Sequence, residues 1–374
     1  MAEIRPFRVD VPQERLDDLH RRLRTALWPD ELPGVADAYG VPNERVRRLA
    51  RHWLEFDWRA FEARLNAHPQ FVTTIDGEDI HFLHVRSSRP DATPLVLTHG
   101  WPGSVVEYLD VIAPLTEPDD DQPAFHVVIP SLPGFGFSGP TRTPGWGRHR
   151  TARAWVELMR RLGYRRYGAV GNDGGSMISP EIGRLDDGVI GVHVTQVFSF
   201  PSGDPAEFVG LSEADQAALE HLEWFYANKF AFNQLHSQQP QTLAFALADS
   251  PVGLLGWNAQ LFGESLDDDF VVANVALYWL TGTGGSSIRF YYEDAHHAEP
   301  SAGPTTKPLG LAMFAGDFQS IRRFAERDHA NIVSWNSYGH EANGSANDAA
   351  GHYAAHEAPE VVVADIRRFY AALA

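Results

Sequence analysis

Asp173 lies at the centre of Gly171-Asn172-Asp173-Gly174-Gly175, directly after the apolar run Tyr167–Val170 and ahead of a helix-forming stretch. Small residues on both flanks let a strand turn sharply into a helix, which pushes the central side chain outward among backbone N–H groups. This is the pattern of a nucleophile elbow, with aspartate where serine usually stands. The plain alternative is a glycine-rich turn in which Asp173 only caps a helix, a place that aspartate favours. The residue type narrows the chemistry. A carboxylate, with a reference pKa near ~3.9, is ionised at neutral pH without a base to activate it. It attacks amides poorly but suits displacement at a strained or activated sp³ carbon. The product is an alkyl ester on the protein, which water must then cleave.

Three further features fit that chemistry. His99-Gly100-Trp101-Pro102-Gly103-Ser104 follows the short apolar run Pro94–Thr98. Its bend can turn the Trp101 N–H inward, and with the Gly174 N–H it would make an oxyanion hole for ester hydrolysis. A simple turn is the competing reading, and His99, ahead of the bend, reads as a structural hydrogen-bonder. Late in the chain, His352 sits in Gly351-His352-Tyr353-Ala354-Ala355, with His340 and His356 as competitors. Between elbow and histidine, the apolar run Leu309–Phe314 leads into Ala315-Gly316-Asp317. Nucleophile, acid and histidine then occur in the chain order of α/β-hydrolases. In that order Asp317 orients His352 and stabilises its imidazolium. Asp348 and Glu341 are the other candidate partners.

The elements around these residues are legible as periodic runs. Glu14–Leu27 and Val46–Leu65 carry apolar residues at helical spacing, the second through Leu49, Trp53, Phe56, Trp58 and Phe61. Phe71–Ile75 and Ile80–Val85, split by Asp76-Gly77, predict a hairpin. Pro94–Thr98, Phe125–Ile129, Tyr167–Val170 and Val189–Val197 then read as strands, alternating with helices over Val105–Leu115 and Thr151–Leu162. Residues 200–290 are helical, aromatic and interrupted by Pro240 and Pro251. The rhythm resumes with Leu309–Phe314, Asn331–Trp335 and a closing helix over Ala358–Ala374. This alternation predicts an α/β-hydrolase fold with a mostly parallel central sheet, an N-terminal helical arm and an inserted helical lid. The expected division is 1–85 for the arm and first strands, 86–199 for the first part of the core, 200–290 for the lid, and 291–374 for the second part. The small polar stretch Glu341–Ala350 reads as a surface insertion.

Composition sets outer limits. The 374 residues are 44% hydrophobic and 11% aromatic, enough for one large packed core with added segments. Acidic residues outnumber basic ones 49 to 31, giving a formal charge of −18. Such a field repels polyphosphates and acidic membrane surfaces, so neither a nucleic-acid nor a membrane partner is expected. The absence of cysteine excludes disulfides, thiolate metal sites and cysteine nucleophiles. No apolar run is long enough to span a membrane, and the first ten residues lack an apolar signal core. The expected location is cytoplasmic. No metal and no cofactor are expected. The histidines show no ligand-like pairing with acids on one helix face, and no G-x-G-x-x-G follows a strand with an acid at the expected distance.

Several of these motifs, in one order, resemble the epoxide hydrolases of the microsomal and juvenile-hormone type. Pro6-Phe7, Trp28-Pro29, Phe56-Asp57-Trp58-Arg59, Pro69-Gln70-Phe71, Ile75-Asp76-Gly77 and Ile80-His81-Phe82 resemble that family's N-terminal region. The elbow, the His99–Ser104 bend, Asp249-Ser250-Pro251-Val252-Gly253-Leu254 and Gly351–Ala355 with Pro359-Glu360 match as well. The resemblance implies that Asp173 opens an epoxide and that His352, oriented by Asp317, activates water against the ester to release a vicinal diol. It implies that lid tyrosines donate to the epoxide oxygen, one of them Tyr291.

The chain departs from that family in places. The second lid tyrosine falls on Phe232, which has no hydrogen to donate. Tyr226 or Tyr278 could take over, or Tyr291 could act alone. Gly174 stands where the family often has tryptophan, which should widen the pocket. With Trp224, Phe225, Tyr226, Phe230 and Phe232 in the lid, this points to a bulky apolar or aromatic epoxide. Trp224, Tyr226 and Phe232 are the expected substrate contacts. No membrane anchor of the kind that precedes the arm in microsomal members is expected, and the Glu341–Ala350 stretch is extra. Epoxide and water are the expected small-molecule partners, and a homodimer is left open. Two other functions compete: a haloalkane dehalogenase, which shares the aspartate nucleophile, and a non-catalytic binding protein on the same fold.

Overall fold

The computed structural model describes residues 3–119, 122–297, 299, 303–339 and 350–373. Nine strands form one sheet: β1 (Arg5–Phe7), β2 (Gln70–Ile75), β3 (Glu78–Val85), β4 (Thr93–Thr98), β5 (Phe125–Pro130), β6 (Tyr167–Gly171), β7 (Val189–Val194), β8 (Leu309–Phe314) and β9 (Ile332–Tyr338). Their order is β1-β2-β3-β5-β4-β6-β7-β8-β9. The first three strands and β5 pair antiparallel, and β5 through β9 run parallel. Every residue of β6 and β8 is buried, as expected for strands covered by helices on both faces.

Local chemistry explains where most elements begin and end. Asp76 and Gly77 both adopt positive φ, 50° and 84°, which suits a two-residue turn between twisted strands. The stretch Val46–Leu65 is two helices, Asn43–Glu55 and Trp58–Asn66. Phe56 is extended, and the Asp57 side chain caps the second helix by accepting from the Ala60 N–H. β1 has no counterpart in the sequence reading, since three residues are too few to show a period. β7 ends at Val194, three residues early, because Thr195 and Gln196 turn into a polar network described below.

Between β7 and β8 lie helices Glu213–Asn228, Ala231–Gln238, Pro240–Asp249, Pro251–Ala259, Asp268–Thr281 and Arg289–His296. Pro240 and Pro251 begin helices rather than interrupt them, at the position where a missing N–H costs nothing. The last helix crosses residue 290 and carries Tyr291. The N-terminal arm packs against this insert. Arg15 donates to the Leu280 carbonyl and Arg22 to that of Asp249, each at 2.8 Å. His340 and 341–349, with Glu341 and Asp348, fall outside the described residues. No helix among the described residues is long and apolar enough to cross a membrane.

Candidate active site

The parallel register aligns Thr98 of β4 with Gly171 of β6, and Gly171 with Val194 of β7. The carboxyl ends of three strands thus meet, and the chain direction across the sheet reverses at β4. That is where α/β sheets leave a crevice. An isolated parallel bridge between Gly316 and Gly351 adds the loop after β8 and the turn bearing His352.

The elbow is as tight as its glycines suggest. Asp173 has φ 52° and ψ −118°, an unusual conformation for a side-chain-bearing residue. A Cβ on Gly171 would fall 2.1 Å from the Gly175 carbonyl oxygen, and one on Gly175 would fall 1.8 Å from that of Thr98. Neither position admits a larger residue without moving backbone.

The Asp173 carboxylate is held asymmetrically. Trp101 N–H donates to Oδ1 at 2.9 Å, and the Gly174 N–H also bonds the carboxylate. Oδ2 lies 3.7 Å from His352 Nε2. Burial raises the Asp173 pKa, against the pull of His352 and the two N–H groups. His352 Nδ1 donates to Asp317 Oδ1 at 2.9 Å, which leaves Nε2 toward Asp173. Burial alone would lower the His352 pKa, but Asp317, then Asp173 and Glu107, lift it to about 10. Asp317 is likewise pushed up by burial, yet His352 and Gln196 bring it below the ordinary range.

This places Asp173, Asp317, His352, Trp101 and Gly174 together. Tyr291 joins them: its ring meets that of Trp101 edge-on at 6.1 Å, and Asp173 acts electrostatically on its hydroxyl. Phe232 stacks on Trp101 at 5.8 Å. Tyr226 reaches the group through Phe230, its ring 4.3 Å away, which in turn meets Phe232 at 6.2 Å. Trp224 is not brought to Asp173: it is 47% exposed and stacks on His221. The space expected beside Gly174 is taken by Phe290, whose ring would lie 3.6 Å from a Cβ there.

His99 is buried, donating from Nδ1 to the Gly100 carbonyl at 3.0 Å and accepting from the Leu132 N–H at 3.2 Å. Burial drives its pKa down to about 4. His356 lies between Asp110 and Asp267, at 2.9 and 2.7 Å, tying the helix after β4 to the insert. Surface clefts of about 330 Å³ around Pro69 and about 300 Å³ around Phe56 contain none of the site residues.

Sequence reasoning missed a buried polar network behind the elbow. Gln196 Oε1 accepts from the Asp173 N–H at 2.8 Å, while its Nε2 donates to Asn172 Oδ1 at 2.8 Å and to Asp317 Oδ2. One amide therefore holds both the Asp173 backbone and the Asp317 carboxylate. Its only sequence signal was its place just past a buried strand. Glu107 was missed too. It is buried near Asp173 and His352, neither carboxyl oxygen has a hydrogen-bond partner among the described residues, and burial raises its pKa to about 8. The nearby Tyr108 hydroxyl and Asn172 amide donate instead to the carbonyls of Thr98 and His352, at 2.9 and 3.0 Å.

Sheet order, elbow and the clustering of two acids with a histidine define a hydrolase-type site on an α/β-hydrolase fold. A family model described as "Epoxide hydrolase N terminus" matches residues 4–108, and one described as "alpha/beta hydrolase fold" matches residues 93–181. A Stigmatella aurantiaca protein provisionally named an epoxide hydrolase is 38% identical, over 98% of this chain and 84% of its own length. Epoxide hydrolase 1 of Sus scrofa is 31% identical, over 98% and 88% respectively. The structure of Aspergillus niger epoxide hydrolase matches with a TM-score of 0.87 at 32% identity, covering 100% of this chain and 97% of that one. The chain belongs to the epoxide hydrolase family.

Proposed function

We propose that this protein opens an epoxide to a vicinal diol through an ester on Asp173. The observation that carries the reading is the split environment of that carboxylate. Oδ1 is held by the Trp101 N–H at 2.9 Å, and Oδ2 is left toward His352 Nε2 at 3.7 Å. In the first step Oδ2 attacks a ring carbon and the carbon–oxygen bond breaks. The electron pair goes to the ring oxygen, which takes a proton from the Tyr291 hydroxyl; Tyr291 recovers, through water, the proton that His352 gives up as Asp173 loses its charge. In the second step His352 takes a proton from water as its oxygen attacks Cγ of Asp173. Oδ1, now the ester carbonyl oxygen, carries the developing negative charge against N–H groups already in place. Collapse releases the diol, which takes a proton from His352, and leaves Asp173 as the acid with one oxygen from water; that acid proton passes to His352 and restores the carboxylate–imidazolium pair.

Trp101, Phe232, Phe290 and Tyr291 around the site support an apolar or aromatic epoxide. Gly174 adds little to that reading, since Phe290 occupies the space beside it. The N-terminal family match over residues 4–108 weighs against haloalkane dehalogenation. We assign the segment between β7 and β8 as the lid over this site, and water and epoxide as the partners, with no role for nucleic acid and a cytoplasmic location.

The test is His352→Gln, which keeps the nucleophile and removes the base. With styrene oxide, intact mass should show the protein plus one substrate, mapped to Asp173. In ¹⁸O-labelled water, single-turnover label should enter Asp173 of the unaltered enzyme first. Diol formation that persists in Asp173→Asn would sink the mechanism.

A further inference from the structure

An epoxide oxygen becomes an alkoxide as the ring opens, and in an aromatic-lined site it needs hydrogen-bond donors already aimed at it. Tyr291 is one. Phe232, packed beside it, supplies none. Of the other tyrosines in reach, Tyr278 has its hydroxyl committed to the Gly103 carbonyl at 2.5 Å, and Tyr226 is 44% exposed. The Tyr353 hydroxyl is also unpartnered among the described residues, but its ring packs on Phe262 and Phe270 at 5.3 and 5.1 Å, away from the Trp101–Tyr291 pair.

His236 is different. It lies four residues beyond Phe232 on the helix Ala231–Gln238, and so on the same face. Its side chain is fully buried. The ring meets Trp101 edge-on at 4.6 Å and Tyr291 at 4.9 Å, closer to both than the Phe232 ring is. The backbone of that same Trp101 holds Asp173.

The tautomer of His236 is set by its neighbour. Trp257 Nε1–H donates to His236 Nε2 at 2.8 Å. An indole nitrogen can only donate, so Nε2 must be the acceptor and the ring proton sits on Nδ1. Nδ1 is buried without a hydrogen-bond partner among the described residues. Buried polar groups are rarely left unbonded, and those that are call for an explanation. Burial also lowers the His236 pKa to about 3, so the ring is neutral at physiological pH. A neutral imidazole N–H adds no charge to the resting site but can still polarise or stabilise a developing oxyanion.

We propose that His236 donates its Nδ1–H to the epoxide oxygen as the ring opens, serving with Tyr291 as the second donor in place of the missing hydroxyl at Phe232. This rests on the epoxide-opening reading above. The proton stays on Nδ1 throughout; the alkoxide takes its proton from Tyr291. Trp257 is a positioning residue that keeps Nδ1 protonated.

The experiment follows ester formation on Asp173 by quenched-flow intact mass, with styrene oxide, in the His352→Gln background. Adding His236→Phe should slow ester formation by roughly 10²-fold, the usual loss for one such donor. Restoring a hydroxyl with Phe232→Tyr in that variant should recover most of the rate. Trp257→Phe, which keeps the histidine but frees its tautomer, should slow ester formation to a smaller extent. Ester hydrolysis, measured with His352 present, should be unchanged by His236→Phe. An ester-formation rate within about twofold of the parent in both the His236 and Trp257 variants overturns the proposal. A slowed His236→Phe that Phe232→Tyr does not rescue also overturns it, since the ring would then only fill space. Ester absent from the His352→Gln parent would instead remove epoxide opening itself, and the proposal with it.

Discussion

Replacing Asp173 with asparagine should change the titration of His352. The substitution removes a negative charge 3.7 Å from His352 Nε2 and leaves an amide oxygen to accept from the Trp101 N–H. In the native site burial disfavours the imidazolium, but Asp317, Asp173 and Glu107 together hold its pKa up to about 10. A unit pair at roughly 4 Å with an effective dielectric near ~20 is worth about 4 kcal/mol, a ceiling of roughly 10³ in proton affinity. Asp317 remains bonded at 2.9 Å, so part of the elevation survives. The expected result is a His352 proton affinity lower by roughly tenfold to a thousandfold. Long-range ¹⁵N–¹H imidazole spectra from pH 5 to 11 measure it, with His352→Gln to assign the signal. An unmoved midpoint refutes the reasoning. The consequence is mechanistic. In the proposed mechanism, forming the ester also neutralises Asp173, so the first step would itself convert His352 from a stable imidazolium into a base ready for water.

Gly175→Ala places a Cβ 1.8 Å from the Thr98 carbonyl oxygen, so backbone must move in β4 or in the elbow. Overpacking of this kind costs at least ~1–3 kcal/mol. Urea unfolding should show that loss, together with loss of activity; a variant as stable as the parent would mean the elbow is looser than described. For Glu107, the folded pKa of about 8 lies above the unfolded 4.5. Folding therefore favours the protonated acid, and the native protein loses stability as pH rises from about 4.5 toward about 8. Glu107→Gln does not titrate, so its urea midpoint should gain on the native protein across that range; parallel midpoints at pH 5 and pH 8 would contradict the assigned burial.

How much of this was legible differs residue by residue. Asp173 and its glycines were readable because the constraint is local: a strand-to-helix turn needs small residues at fixed offsets. The Asp76-Gly77 hairpin was readable for the same reason. The split at Phe56-Asp57 was missed because apolar spacing continues across it while a single capping side chain ends the register. Trp224 misled because aromatic composition does not say which face of a helix turns outward. Phe290 was passed over beside Gly174, since the two are 116 positions apart and meet only through packing.

By itself, then, the sequence determined which residues can attack, which can donate and where the chain can turn sharply, because those properties belong to side chains and to neighbouring backbone. Tertiary structure alone decided which groups share a cavity and in what protonation state. Gln196 bridges Asp173 and Asp317 because β7 lies between β6 and β8. His236 carries its proton on Nδ1 because the indole of Trp257, on another helix, occupies Nε2. Both follow from long-range contacts in a medium that leaves few alternative partners, and such contacts leave no period or spacing in the chain.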